Sequence, residues 1–233
     1  MRGVKALSFD LDDTLWEITP VIRAAEASVY EYLCDHYPGA ADRFEATVIG
    51  EARARAAAAS PELAHDFTEI RRRSFALILV ECGEDPAEAD DLLERFMHAR
   101  HQVQLYPDVV PALEVLSTRF PLVALSNGNT DVNRLNLRQY FVRAINARVV
   151  GALKPDGRMF ASACDALGLR PDEVLHVGDH PVEDVHGALN AGMRTVWVNR
   201  ARRAWEHAHT PHAEVRDLGE LLALMTEADR VAS

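Results

Sequence analysis

Three short apolar segments of this chain are each followed at once by polar residues. They are residues 4–9, 122–125 and 174–177, and their length and continuous hydrophobicity are typical of strands buried on both faces of a parallel sheet. Residues 144–150 and 195–198 are weaker strand candidates. Helical patterns lie between and after these segments, at residues 109–119, 130–139, 159–167, 182–191 and 218–226. This alternation predicts an α/β fold with a doubly wound, Rossmann-like parallel sheet.

The stretch between the first two apolar segments has a different character. Residues 17–104 are rich in Ala, Glu, Arg and Leu, and no convincing strand interrupts them. Their pattern predicts four helices, at about residues 20–37, 42–59, 61–82 and 86–103, and Pro61 and Pro86 suit the first turn of a helix. We therefore predict a Rossmann-like core of residues 1–16 and 105–233, with an all-helical domain of residues 17–104 inserted into it.

Length, charge and cysteine content narrow the class of protein. A chain of 233 residues suits one domain with an insertion. The formal net charge of −11 argues against nucleic-acid and anionic-membrane partners, because an excess of Lys and Arg holds such polyanions. Cys34, Cys82 and Cys164 lack paired spacing, as is usual for reduced thiols. Since we find neither a signal-peptide core nor an apolar stretch of about 20 residues, we expect a soluble cytoplasmic protein.

Two acids, Asp10 and Asp12, follow the first predicted strand. In an open parallel sheet, ligands bind beyond the carboxyl ends of the strands. If the strand ends at Asp10 and the chain then curls, both carboxylates can point into one cavity. One acid could then attack a substrate while the other transfers a proton, with a cation between them. The alternative is an acidic turn that merely closes the strand.

Polar residues also follow the later apolar segments. Ser126 and Asn127 offer a hydroxyl, an amide and backbone N–H groups that suit phosphate oxygens, although the segment taken alone favours a helix cap. Lys154 precedes a proline and could neutralise a carboxylate and an incoming phosphate, or it could be an ordinary surface lysine. Asp179 and Asp184 could approach Asp10 as oxygen ligands of Mg²⁺, or Asp184 could simply complement a helix dipole.

The order and spacing of these residues carry a resemblance. The set Asp10-Leu-Asp12-x-Thr14, Ser126-Asn127, Lys154-Pro155 and Gly178-Asp179-x4-Asp184 resembles the four motifs of the haloacid dehalogenase (HAD) superfamily, in its phosphatase branch. The resemblance spans residues 4 to about 200, and the helical insertion is similar to the first-type cap of that family. The F-D-L-D-D-T-L-W, S-N-G-N and H-V-G-D segments also resemble bacterial FMN phosphatases and 5-amino-6-(5-phosphoribitylamino)uracil phosphatases.

This resemblance implies a magnesium-dependent phosphomonoester hydrolase with an aspartyl-phosphate intermediate. Asp10 would be the nucleophile, and Asp12 would protonate the leaving alcohol and then activate water. Mg²⁺ would be held by Asp10, by Asp12 through its backbone carbonyl, and by Asp179, with Asp184 ordering a metal-bound water or Lys154. The implied substrate-binding residues are Thr14, which would also orient the acidic turn, Ser126, Asn127 and Lys154.

Other activities of the same superfamily remain open at this point. The resemblance implies that a dehalogenase would need neither a metal nor an acid, would lack the second aspartate, and would carry an arginine where Trp16 and Glu17 stand; Asp12 therefore argues against it. A phosphotransferase or mutase would use the same four motifs. A phosphate-binding regulator without turnover would keep the fold, although intact acids at every motif position argue against it.

The substrate and several accessory residues are less defined by the sequence. We expect a small phosphorylated metabolite, with a flavin or phosphoribitylamino-pyrimidine monophosphate first and a sugar phosphate or nucleoside monophosphate next, and either a monomer or a homodimer. Trp16 could face the substrate or pack at the junction with the helical domain. His207, His209 and His212 could form a second metal site, or they could be exposed loop histidines.

Overall fold

A single parallel sheet organises the core in the computed structural model, which describes residues 1, 3–37 and 39–230, without the side chains of residues 228–230. Within these residues the sheet contains six strands, namely β1 (Ala6–Phe9), β2 (Leu122–Ser126), β3 (Arg143–Asn146), β4 (Val174–Gly178), β5 (Arg194–Val198) and β6 (Ala213–Val215). Their spatial order is β3-β2-β1-β4-β5-β6, and every neighbouring pair is parallel. This confirms the predicted doubly wound α/β fold.

The register of the central strands brings their carboxyl ends level. Phe9 at the end of β1 pairs with Ala124 of β2 on one side and with Val177 of β4 on the other. Strand order reverses between β1 and β4, which is where doubly wound sheets bind their ligands. All residues of β1, β2 and β4 are buried, as the continuous apolar segments predict for strands covered on both faces.

The helical segment forms a compact unit of its own, residues 18–103, and the remainder, residues 1–17 and 104–233, forms the other unit. Its α-helices are α1 (Ile18–His36), α2 (Ala40–Arg43), α3 (Val48–Ala59), α4 (Phe67–Cys82) and α5 (Ala89–Arg100). Buried residues of α1 recur at intervals of four, at Val21, Ala25, Val29 and Leu33, so one stripe of the helix lies in the core of the unit.

Three of the helices predicted for this segment were too long. The predicted helix 42–59 is interrupted between α2 and α3, because Phe44 adopts an extended conformation with φ −124° and ψ 142°. Pro61 and Pro86 do begin helical turns, but these are short 3-10 turns that precede α4 and α5. Within the described ranges, no helix combines the length and the apolarity needed to cross a membrane.

The core contributes five further α-helices among the described residues, namely α6 (Val109–Arg119), α7 (Ala147–Val150), α8 (Gly157–Leu167), α9 (Gly187–Asn190) and α10 (Leu218–Arg230). A π-helical turn, Pro181–His186, leads directly into α9. The prediction of a strand over residues 144–150 was wrong in its second half, because Asn146 ends β3 and caps α7 by accepting from the N–H of Val149. The three-residue strand β6 escaped prediction.

The predicted helix over residues 130–139 was also wrong. The structure has two 3-10 turns there, Val132–Arg134 and Arg138–Tyr140. Asp131 accepts a hydrogen bond from the N–H of Asn133, two residues later. Such local side-chain bonds offer the backbone an alternative to the helical pattern, so the polar residues of this segment outweigh its weak periodicity.

Candidate active site

The chain curls immediately after β1 and places its first two acids on a tight loop. Asp13 has a φ of 61°, in the left-handed region, which aspartate tolerates better than most residues. Its N–H bonds to the carbonyl of Trp16 at 2.7 Å, closing the loop. The indole Nε1–H of the fully buried Trp16 donates to Asp12 Oδ1 at 3.0 Å. Of the two roles considered for Trp16, packing is therefore the better description, and the indole also orients Asp12.

Lys154 lies between two carboxylates from different parts of the chain. Its Nζ is 2.6 Å from Asp10 Oδ1 and 2.6 Å from Asp184 Oδ1. The side chains of Lys154 and Asp184 are 1% and 2% exposed. The alternative of a surface lysine is therefore wrong, and three predicted site residues meet in one buried cluster.

The charges of this cluster are strongly coupled. Burial raises the pKa of Asp10 well above its ordinary value, against the opposing effect of Lys154. Burial would lower the pKa of Lys154, but the charges of Asp10 and Asp184 outweigh it and hold that pKa above its usual range. Burial would likewise raise the pKa of Asp184, but Lys154 and His176 hold it below its ordinary value. Lys154 and Asp184 are therefore charged. Asp10 is repelled by the nearby charges of Asp184 and Asp179, which add to the effect of burial on its pKa.

A third acid completes a group that could hold a cation. Ligand oxygens of Asp10, Asp179 and Asp184 lie within 4.8 Å of one another. Burial and the charge of Asp184 raise the pKa of Asp179 to about 7. Lys154 lies between two of the carboxylates, and Arg203 Nη2 lies 3.8 Å from Asp179 Oδ2, so two basic side chains face three acids. Oxygen ligands suit Mg²⁺. The residues present thus fit a divalent cation, whereas the side-chain carboxylate of Asp12 is not in this group.

Thr14 and two residues of the later strands and loops orient these acids. The hydroxyl of Thr14 lies 3.0 Å from Asp10 Oδ2 and 3.4 Å from Asp179 Oδ1, and can donate its single hydrogen to either. Trp197 Nε1 and Arg203 Nη2 both donate to the backbone carbonyl of Asp179, at 2.7 and 3.2 Å. Thr14 therefore contacts the acids, as its predicted orienting role requires.

The loop after β2 is tied by side-chain hydrogen bonds to its own backbone and to that of Lys154. Ser126 Oγ accepts from the N–H of Gly128 at 2.9 Å and keeps its own hydrogen for donation. The amide of Asn127 accepts from the backbone N–H of Lys154 at 2.6 Å and donates to the carbonyl of Lys154 at 3.0 Å. It also donates to Glu183 Oε2 at 2.8 Å. The side chain of Asn127 thus holds the backbone of Lys154, and its contact with substrate stays a prediction.

Arg200 anchors the acidic loop, and sequence reasoning missed it. Its guanidinium donates to the carbonyl of Thr14 at 2.9 Å and pairs with both carboxylate oxygens of Asp108, at 3.0 and 2.8 Å. It also stacks on the ring of Tyr106, 3.9 Å from the ring centroid. Asp108 in turn accepts from the N–H of Leu218, the first residue of α10. No local motif signals these contacts, because the partners are far apart in the sequence.

Gly178 is required where β4 meets Asp184. A Cβ atom on Gly178 would lie 2.3 Å from the Cγ of Asp184. We expect Gly178→Ala to displace Asp184 and to lower the free energy of unfolding by about 1–3 kcal/mol, as overpacking does, measured by urea denaturation. Gly157→Ala is the matched control, because a Cβ there meets nothing within 4 Å; equal stabilities of the two variants would contradict the prediction.

The loop histidines do not assemble into a second metal centre among the residues that the structure describes. The ring of His207 packs on Trp205 and that of His209 lies against His186, with centroids 5.2 and 5.5 Å apart. His212 Nδ1 accepts from the N–H of Thr195 at 3.2 Å. The description as loop histidines therefore fits the structure, and the hypothesis of a second metal site finds no support there.

Comparison with known proteins agrees with this geometry. Residues 4–192 match the family of haloacid dehalogenase-like hydrolases. The chain is 31% identical to a 5-amino-6-(5-phospho-D-ribitylamino)uracil phosphatase (YigB) of Escherichia coli, over 95% of this chain and 96% of that protein. It is 33% identical to a phosphoserine phosphatase of Thermus thermophilus, over 94% and 98%.

Among solved structures, a 2-haloacid dehalogenase from Pseudomonas syringae superposes with a TM-score of 0.89 at 38% identity, covering 96% of this chain and 99% of that one. The family match and the phosphatase relatives each extend over most of the chain. The chain belongs to the haloacid dehalogenase-like hydrolases.

Proposed function

We propose that this enzyme hydrolyses small phosphate monoesters with the help of Mg²⁺ and through an aspartyl-phosphate on Asp10. The observation that carries the proposal is the buried cluster in which Lys154 contacts Asp10 and Asp184 while Asp179 completes a cation-binding group. An attacking carboxylate is repelled by a dianionic phosphate, so positive charge must be concentrated around it. Two relatives named as phosphatases support this reaction class.

The reaction proceeds in two displacements. A carboxylate oxygen of Asp10 bonds to phosphorus while the bond from phosphorus to the leaving oxygen breaks, and protonated Asp12 gives its proton to that oxygen. Asp12 then takes a proton from water, the water oxygen bonds to phosphorus, and the bond to Asp10 breaks, which releases inorganic phosphate and restores both acids. Bound Mg²⁺ supplies positive charge that offsets the repulsion between carboxylate and phosphate.

The residues around the two acids bind the phosphoryl group and hold the reacting side chains in place. Lys154 neutralises Asp10 and donates to the phosphoryl oxygens, and the hydroxyl of Ser126 donates to them as well. Asn127 holds Lys154 in place by bonding to its backbone. The indole of Trp16 fixes the orientation of Asp12 through its bond to Oδ1. These assignments make Asn127 a positioning residue for Lys154, which contacts the nucleophile Asp10.

A second candidate function is dehalogenation of a 2-haloacid, which the similarity to the Pseudomonas syringae structure favours. In that reaction Asp10 would displace a halide from carbon, and halide leaves without a proton. The presence of Asp12, held in place by Trp16, favours phosphate esters, because an alkoxide does need a proton. Similarity between the whole chains does not separate the two reactions, whereas the product released does.

The test measures both products with the same purified enzyme. We expect inorganic phosphate from p-nitrophenyl phosphate in the presence of Mg²⁺, loss of this activity with EDTA, and its return when Mg²⁺ is restored. We expect no chloride from 2-chloropropionate under either condition. Chloride release that persists in EDTA, without phosphate release, would establish the dehalogenase reaction instead.

For the physiological substrate we propose a class of compound, a small phosphorylated metabolite. The name of the Escherichia coli relative supports 5-amino-6-(5-phospho-D-ribitylamino)uracil, and that of the Thermus thermophilus relative supports phosphoserine. FMN is proposed from the motif resemblance alone. A panel of FMN, a phosphoribitylamino-pyrimidine monophosphate, phosphoserine, sugar phosphates and nucleoside monophosphates separates these possibilities by kcat/KM. Transfer of the phosphoryl group to an added sugar, in place of release to water, would indicate a phosphotransferase.

A further inference from the structure

A pair of polar side chains lies behind the active site, inside the sheet. Ser8 of β1 and His176 of β4 occupy directly opposed positions in the parallel register. They are 0% and 1% exposed, and Ser8 Oγ is 2.8 Å from His176 Nδ1. On its other side, His176 Nε2 is 3.1 Å from Asp184 Oδ1. The two residues therefore connect the interior of the sheet to the acid that contacts Lys154.

The direction of each hydrogen bond in this series follows from the carboxylate of Asp184, which accepts from several donors. Its Oδ1 accepts from Lys154 Nζ, and its Oδ2 accepts from the N–H of His180 at 2.9 Å. An ionised carboxylate can only accept, so His176 must donate to it through Nε2. The lone pair of His176 then lies on Nδ1, which accepts from the hydroxyl of Ser8. Asp184 therefore fixes the imidazole tautomer, and the hydroxyl of Ser8 satisfies the remaining nitrogen and holds the ring in place.

The packing around His176 allows little movement. The ring of Phe160 meets the imidazole edge to face, with centroids 5.3 Å apart and an interplanar angle of 88°. Phe160 is itself confined by the backbone at Gly187, where a Cβ would lie 2.7 Å from its ring. The carboxylate of Asp184 packs against Gly178 in the same way. The hydrogen-bonded series from Ser8 to Asp184 is thus held from several sides.

The fold alone does not require this pair. The other residues of β1 are Ala6, Leu7 and Phe9, all fully buried, and an apolar pair at the same register would pack without any need for hydrogen-bond partners. Buried polar groups are favourable only when they are satisfied, and well-packed apolar replacements are often neutral or stabilising. A serine and a histidine at these positions therefore indicate a task other than stabilising the sheet.

We propose that Ser8 and His176 are positioning residues of the reaction, which keep Asp184 in place while Lys154 follows the transferred phosphoryl group. The inference rests on the proposed function. Before reaction, Lys154 contacts both Asp10 and Asp184. Once the phosphoryl group is on Asp10, Lys154 donates to its oxygens, and Asp184 retains His176 and the N–H of His180 as donors. The pair therefore supports the chemical steps, with little influence on substrate binding.

Two amide substitutions of His176 provide the test. A glutamine amide nitrogen reaches the place of imidazole Nε2, whereas the shorter asparagine reaches only the place of Nδ1. For p-nitrophenyl phosphate we expect His176→Asn to lower kcat by about 10–100-fold, the range found when partners of site ligands are removed, with KM nearly unchanged. His176→Gln is expected to retain most of kcat, because it still donates to Asp184.

A double substitution tests whether Ser8 acts through the imidazole. Ser8→Ala should lower kcat in the wild-type enzyme but have no further effect in His176→Gln, where no Nδ1 remains to be oriented. Thermal unfolding of each variant provides the structural control. Equal kcat values for His176→Asn and His176→Gln, or losses that follow the fraction of folded protein, would overturn the proposal.

One measurement remains informative even if the enzyme releases no phosphate. In ¹⁵N NMR spectra of the wild-type protein, we expect the hydrogen of His176 on Nε2, and Ser8→Ala should alter the Nδ1 resonance. A hydrogen on Nδ1 would overturn the positioning role. Absence of phosphate release together with the expected tautomer would contradict the proposed function and would leave the pair as an element that orients Asp184 in another reaction of this site.

Discussion

Asp10→Asn is expected to lower kcat for phosphate-ester hydrolysis by about 10⁴-fold or more, the scale seen when a covalent nucleophile is removed. Asparagine has nearly the shape of aspartate and can still contact Lys154 and Thr14, so the loss would report on chemistry. An amide cannot displace an alkoxide from phosphorus to form an acyl phosphate. The measurement is initial-rate release of inorganic phosphate from p-nitrophenyl phosphate at saturating Mg²⁺.

The matched control makes the same chemical change three residues along the same loop. Asp13 has a φ of 61°, and asparagine accepts this left-handed conformation as readily as aspartate. Asp13→Asn should therefore keep kcat within about tenfold of wild type, in the range of a modest electrostatic change of about 1 kcal/mol. Undiminished turnover by Asp10→Asn, or an equal loss in both variants, would refute the assignment of Asp10 as nucleophile.

Lys154→Met is expected to damage both stability and turnover. Removal of the ammonium leaves Asp10 and Asp184 buried beside each other, and breaking a buried pair by removing one partner costs about 3–5 kcal/mol. The free energy of unfolding, measured by urea denaturation, should fall by that amount near neutral pH. Among molecules that remain folded, kcat should fall by about 10²–10³-fold, the usual effect of losing one electrostatic contact to the reacting group.

The stability lost in Lys154→Met should depend on pH in a defined direction. Without Lys154, burial and mutual repulsion raise the carboxyl pKa values of Asp10 and Asp184 in the folded state above those of the unfolded chain. A raised pKa contributes stability that is present at low pH and is lost as pH rises through it. The difference in the free energy of unfolding between wild type and Lys154→Met should therefore be smaller at about pH 5 than at about pH 8.

Lys5→Met provides the control for loss of a lysine–carboxylate pair. Lys5 Nζ lies 2.7 Å from Glu173 Oε1, but the lysine side chain is 60% exposed. Exposed pairs contribute about 0–1 kcal/mol, so this substitution should change the free energy of unfolding by less than about 1 kcal/mol at either pH. A comparable loss in both lysine variants would show that burial of the acidic cluster is not the cause.

The strands that support the site could be predicted because their sequence carries a strong and local signal. A continuous apolar segment such as the one that becomes β1 has few alternatives to burial between two layers of helices. The start of α6 and the end of α8 were also predicted correctly, since they follow amphipathic periodicity. The segment after Ser126 was not, because polar side chains bonded to nearby backbone there and displaced the expected helix.

The candidate site was predictable in its acids and much less so in the residues that hold them. Asp10 and Lys154 lie in short motifs, and their meeting followed from strand topology. The roles of Asn127, His176 and Arg200 depend on partners that no local spacing reveals. One signal was present for His176: a histidine in the middle of a buried apolar strand needs a partner, and the register of a parallel sheet supplies Ser8.

The contacts of the acidic loop have a consequence for biosynthesis. Lys154 follows Asp10 by 144 positions, and Arg200, which holds the carbonyl of Thr14, lies 186 positions beyond that threonine. Contacts of such separation form late, because long loops must close first and the distant residues must already have been translated. The acidic loop therefore gains its contacts with Lys154 and Arg200 only after both residues have been translated, and a nascent chain carries Asp10 without Lys154 while the 143 residues between them are made.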